Sequence, residues 1–177
     1  RANFKLKEIN EKYNLLREGH KVLDLGAWPG GWLQYILTRI GSNGRAVGID
    51  LKELEEINDN RVKLICGDAR EGEILQNALE FCGGQFDVVV SDMSPKLSGV
   101  KEADQAQAAA LTELAYSISE KVLIRGGSFV CKTFKGQDTE VLFKRIKPKF
   151  SKLLRSELDS SRKTSNEYYL VGLGHSA

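Results

Sequence analysis

The 177-residue sequence is short of metal ligands. Its three cysteines (Cys66, Cys82, Cys131) and two histidines (His20, His175) are widely spaced. No zinc-ligand spacing runs through them, so no metal is expected. The cysteine count is odd and reads as buried, reduced thiols in a cytoplasmic protein. No apolar run approaches the roughly 18 residues that suggest a membrane span, so no membrane contact is expected. Phosphate-gripping signatures are missing too: there is no GK[ST] loop and no G-x-G-x-x-G fingerprint. Internal repeats, low-complexity tracts and linkers are likewise absent. With 41% hydrophobic residues, the chain reads as one domain spanning 1–177 with room for a core. It begins at Arg1 rather than Met, so a native N-terminal segment is expected upstream.

What is present is an alternation of short apolar runs with longer helical patterns. "KVLDLG" (21–26), "AVGID" (46–50), "VKLICGD" (62–68), "FDVVVSD" (86–92) and "GSFVCKTF" (127–134) read as buried strands bounded by glycine or acids. "EYYLVGLG" (167–174) reads as a last strand, after a short one near 152–157. The clearest helix spans about 103–124. Its Leu111, Leu114, Ala115, Ile118 and Val122 follow i, i+3, i+4 spacing, and "RGG" at 125–127 is expected to end it. Such alternation predicts an α/β fold, a mostly parallel sheet with helices on both faces.

Parallel sheets bind ligands beyond the carboxyl ends of their strands. The residues there form a set: Asp24 to Gly31, Asp50, Asp68, Asp92 and Lys132. Gly26, Gly30 and Gly31 leave the backbone bare and open a helix near residue 31. Asp50, 24 residues after Gly26, suits the two hydroxyls of a ribose. Asp68 is placed to hold an adenine amino group. Acids without a phosphate grip fit a nucleoside with no phosphates and a positive charge, which S-adenosylmethionine is. Lys132 interrupts an apolar strand, where an unpaired ammonium is costly, and Asp92 closes the neighbouring run. An ion pair between them is expected. Lys5 and Glu167 stand near the chain ends, Glu167 facing the same edge if its strand lies beside the fifth.

Net charge is +2, but the stretch 144–163 holds eight Lys/Arg against Glu157 and Asp159, a net +6. A local basic surface on a near-neutral protein points to a polyanionic partner.

Five segments in order resemble the FtsJ/RrmJ-type RNA ribose 2′-O-methyltransferases: "RANFKL" (1–6), "DLGAWPGGW" (24–32), "SDMSP" (91–95), "GGSFVCKTF" (126–134) and "DSSRKTSNEYY" (159–169). The resemblance covers essentially the whole chain. It implies a Rossmann-like class I S-adenosylmethionine-dependent methyltransferase fold, seven-stranded with the last strand antiparallel. It implies a catalytic tetrad of Lys5, Asp92, Lys132 and Glu167, with Lys132 as proton acceptor or steering group. Cofactor contacts would be Gly26, Gly30, Trp32, Asp50, Asp68 and Asp92. RNA phosphates would meet Lys144, Arg145, Arg162 and Lys163. The sequence departs from the family at Trp28, where relatives often carry a small residue.

The implied substrate is large-subunit (23S-type) ribosomal RNA, at a uridine of the peptidyl-transferase region, with tRNA as the rival and a monomer expected. A lysine base would need its pKa lowered from about 10.4, and Lys5 would supply a like charge beside Lys132. Two other classes remain: a nicotinamide-dependent Rossmann oxidoreductase and a non-catalytic RNA-binding protein. The loop spacing opposes the first and the intact tetrad the second.

Overall fold

The computed structural model describes residues 2–158 and 166–176. Seven strands are β1 (Lys21–Leu25), β2 (Arg45–Asp50), β3 (Val62–Cys66), β4 (Phe86–Ser91), β5 (Leu123–Phe134), β6 (Phe150–Ser156) and β7 (Glu167–His175). They form one sheet in the order β3-β2-β1-β4-β5-β7-β6. β7 runs antiparallel to both neighbours, and the other pairings are parallel. The expected sheet with an antiparallel last strand is therefore what forms.

The central strands β1, β2 and β4 are apolar runs because both their faces are covered. On one face lie α1 (Ala2–Tyr13) and α2 (Gly31–Leu37), whose Leu6, Ile9, Leu33 and Ile36 pack on Val22, Val88 and Val130. On the other face lie α3 (Gly72–Cys82), α4 (Lys101–Val122) and α5 (Gln137–Ile146), packed through Ala78, Ala115, Ile118 and Leu142 on Leu23, Val89 and Phe129. Chain order reverses between β1 and β4, so a crevice opens above their carboxyl ends. Among the described residues no helix is long and apolar enough to cross a membrane.

Three expectations are corrected. The long helix ends at Val122, and Arg125, Gly126 and Gly127 lie inside β5. Leu123 already pairs with Phe86, and the register shifts before Val88 meets Ser128. The "RGG" segment absorbs that slip in the strand instead of stopping the helix. Leu111 and Leu114 are only partly buried, because this part of α4 lines the crevice. Cys66 is exposed, while Cys82 and Cys131 are buried. It ends the edge strand β3, which has only one neighbouring strand. Burial pushes the Cys82 thiol up to about 11 and the Cys131 thiol up to about 12. Neither can act as a thiolate nucleophile near neutral pH.

Candidate active site

A cleft of about 610 Å³ opens over the carboxyl ends of β1, β2 and β3. That falls within the usual range for small-molecule sites. Its apolar floor is Leu25, Ile49, Leu111, Leu114 and Ile118. Asp50, Asp68 and Asp92 line it, so the three strand-end acids do converge.

Asp50 is held rigidly. Its Oδ2 accepts the Trp28 main-chain N–H at 2.9 Å, and its Oδ1 accepts that of Lys52 at 2.8 Å. Each oxygen keeps a second lone pair, which matches two adjacent hydroxyls on one ring. Asp68 is gripped by Arg70, with Oδ2 2.6 Å from Nη2 and Oδ1 3.0 Å from Nε. The guanidinium holds the Asp68 carboxyl at about 2. It is therefore an ionised acceptor already half engaged.

The glycines open the helix as expected, and Gly26 also makes room for a side chain. A Cβ on Gly26 would meet the Met93 side chain at 2.5 Å, and the residue has φ +72°. Gly26 thus lets Met93 close over the loop. Gly30, at φ +119°, is the left-handed residue that turns the chain into α2. The Trp32 side chain is 3% exposed and packs on Tyr169, ring centroids 5.9 Å apart. Any ligand contact from Trp32 must come from its main chain.

Beside the cleft the tetrad assembles by strand register. β5 pairs with β7, so Lys132 lies opposite Tyr169, and Phe134 opposite Glu167. Glu167 and Tyr169 are two residues apart on β7 and share a face. α1, anchored by buried Leu6 and Ile9, brings Lys5 Nζ to 2.7 Å from Glu167 Oε1. Buried Asn10 sets where α1 ends, its Oδ1 accepting the N–H groups of Leu15 and Leu16 at 2.9 and 2.8 Å.

Lys132 Nζ sits 3.5 Å from Asp92 Oδ1 and donates to Ser94 Oγ. The same Asp92 oxygen accepts the Tyr169 hydroxyl at 2.8 Å. Burial and the Asp92 charge raise the Tyr169 phenol far above its ordinary value. It stays protonated and can only donate to Asp92. Ser94 and Tyr169 were not singled out from sequence. The like charge expected from Lys5 is met by Glu167.

The basic residues fall into two groups. Arg162 and Lys163 lie outside the described residues. Lys144 and Arg145 are exposed near the end of α5, on the opposite face of the sheet from α1. Arg145 pairs there with Glu113. The structure does not bring these two to the tetrad.

Asp24 is a buried acid at the end of β1, 1% exposed. Neither carboxyl oxygen has a hydrogen-bond partner among the described residues. Burial first, then the charges of Asp92 and Asp50, raise its carboxyl well above the ordinary value. The folded protein therefore holds this proton more tightly than the unfolded chain. Stability contributed by the protonated group is full below about pH 3.9, the unfolded value, and falls as pH rises above it. Asp24→Asn, of the same shape but without the titration, is expected to raise the melting temperature of the cofactor-free protein. The gain should be larger at pH 8 than at pH 5 and worth about 1–3 kcal/mol at pH 8, or roughly 2–10 °C. Calorimetry at the two pH values checks this, and an equal or negative change at both would show that Asp24 is not strained.

Comparison with known proteins gives the family and the fold. The model of the FtsJ-like methyltransferase family matches residues 1–175. The chain is 43% identical over 176 residues to the "Ribosomal RNA large subunit methyltransferase E" of Pseudomonas fluorescens, covering 99% of this chain and 83% of that protein. A Plasmodium falciparum structure named as a ribosomal RNA methyltransferase superposes with TM-score 0.85 at 27% identity, over 99% of this chain and 97% of that one. Aeropyrum pernix fibrillarin, solved with S-adenosyl-L-methionine bound, shares the fold at TM-score 0.60 and 16% identity, over 89% and 67% of the two chains.

Proposed function

The chain belongs to the FtsJ-like methyltransferase family, and from that premise we propose that it methylates ribose 2′-oxygens of large-subunit ribosomal RNA with S-adenosylmethionine. The target we assign is a uridine of 23S-type RNA. The observation that carries the reading is the β5–β7 register, which gathers Lys132, Tyr169 and Glu167 beside an acidic, apolar-floored cleft.

The residues fit the cofactor. Asp50 has free lone pairs for the ribose hydroxyls, and Asp68 faces the adenine end. Leu111, Leu114 and Ile118 offer an apolar surface for the base. Asp50 and Asp92, both lining the cleft, give it a negative field suited to a cation. Gly26, Gly30 and the Trp32 main chain shape the wall at the methionine end. The bound cofactor supplies a methyl group already activated on a sulfonium.

This chain's residues supply alignment. Lys132 meets the 2′-hydroxyl, either as a neutral amine that takes its proton or as an ammonium that steers the oxygen. Asp92, steadied by Tyr169, and Ser94 fix the direction of the lysine. Lys5 and Glu167 hold the ribose. Arg162 and Lys163, just before β7, are assigned to phosphates around the target, and Lys144 and Arg145 to more distant RNA. The 2′-hydroxyl is the group that separates RNA from DNA.

The test is transfer of tritiated methyl from S-adenosylmethionine to large subunits, free ribosomal RNA and tRNA from a strain lacking this activity. Label is expected on large-subunit RNA, in dinucleotides that resist alkali because the 2′-oxygen is blocked. Label confined to tRNA would replace the substrate, and label on a base would overturn the ribose assignment.

A further inference from the structure

Trp28 stands at the mouth of the cleft with 48% of its surface in water. It belongs to neither apolar core cluster, so folding does not account for the indole. Two features hold it in place. The Lys52 ammonium lies 4.2 Å from the ring centroid. The main chains of Trp28 and Lys52 donate to the two oxygens of the same carboxylate, Asp50. Indole, ammonium and carboxylate therefore make one braced unit on the rim, with Leu51 beside it at 74% exposure. All three line the cleft.

Building on the function proposed above, we infer that Trp28, braced by Lys52, is the outer wall of the nucleoside half of the cofactor site and sets how long the cofactor stays. The wall is anchored on Asp50, the ribose acceptor, so it borders the nucleoside half of a bound cofactor. A ligand seated there takes the inner face of the indole out of water. It leaves only by giving up that contact or by displacing the braced ring. Entry past an open rim is less affected, so the effect falls on dissociation.

Stopped-flow binding of S-adenosylhomocysteine and of 5′-methylthioadenosine, which lacks the amino-acid part, tests the idea without RNA. Trp28→Ala should raise the dissociation rate about tenfold for both ligands, by the same factor. Trp28→Phe should keep most of the retention. Lys52→Gln should raise the rate about two- to fivefold. The two tryptophans are Trp28 and buried Trp32, so parent emission should shift to the blue on binding and the Trp28→Phe variant should lose the shift. Unchanged dissociation from folded Trp28→Ala would overturn the inference. So would an effect on S-adenosylhomocysteine alone, which would put Trp28 at the methionine end. Weaker RNA binding with unaltered cofactor kinetics would assign the indole to RNA and overturn it too. If the parent binds neither nucleoside, the cofactor reading itself fails.

Discussion

Lys132→Ala is expected to cut single-turnover methylation by at least about 10²–10⁴-fold, the usual worth of a positioned acid–base group, while cofactor affinity stays near the parent value. Lys132 is 9% exposed along its side chain, and its ammonium is shared between Ser94 and Asp92. It does not line the cofactor cleft. A structural ion pair would predict something else. Removing one partner of a fully buried pair costs about 3–5 kcal/mol. Here Asp92 keeps the Tyr169 hydroxyl, and its side chain is 22% exposed, so about 1–2 kcal/mol is expected. A folded Lys132→Ala variant that methylates at the parent rate would remove the lysine from the chemistry. In the parent, a single-turnover rate that rises with pH and then levels marks a neutral amine acting as base. A flat profile marks a steering ammonium.

Two members of the proposed tetrad stand out because they break a local rule, while Lys5 and Glu167 are ordinary surface charges by themselves and come only from the family resemblance. Lys132 interrupts an apolar strand, and Asp92 closes one. Their supports do not stand out. Tyr169 reaches Asp92 across 77 positions, and only the β5–β7 register puts it there. In sequence it is one of two adjacent tyrosines in a strand, and Tyr168 faces the other side. Ser94 is a small polar residue in a loop, indistinguishable from a turn residue until Lys132 bonds to it. Trp32 was legible as a motif residue but not as a core ring, since a helix of seven residues can present its second position either way. The distance of Lys144 and Arg145 from the tetrad was hidden for a related reason. A run of like charge in sequence says nothing about which sheet face its helix covers, and α5 covers the face away from Lys5. In sequence Asp24 is one more strand-end acid, and its depth of burial comes from packing by elements far along the chain.

Asp50→Ala is expected to weaken S-adenosylhomocysteine binding about 100-fold or more. Two hydroxyls bonded to one carboxylate make two charge-assisted hydrogen bonds, each worth roughly 1.5–3 kcal/mol. The variant also frees the Trp28 and Lys52 amides, which Asp50 holds at 2.9 and 2.8 Å. Part of the loss would then be loosening of the rim and part the lost contact. A ligand lacking both ribose hydroxyls separates them. Against 2′,3′-dideoxyadenosine the direct contact is absent from the start, so Asp50→Ala should matter only through the loop. The difference between the two ligands, read by calorimetry, is the worth of the ribose contact. Asp50→Asn keeps one acceptor oxygen without the charge and should fall between, near tenfold. Because Asp50 braces Trp28, the effects of Asp50→Ala and Trp28→Ala on dissociation should add to less than their sum. No difference between the two ligands would leave Asp50 a loop brace and place the ribose elsewhere in the cleft, and full additivity would show that Asp50 does not act through Trp28.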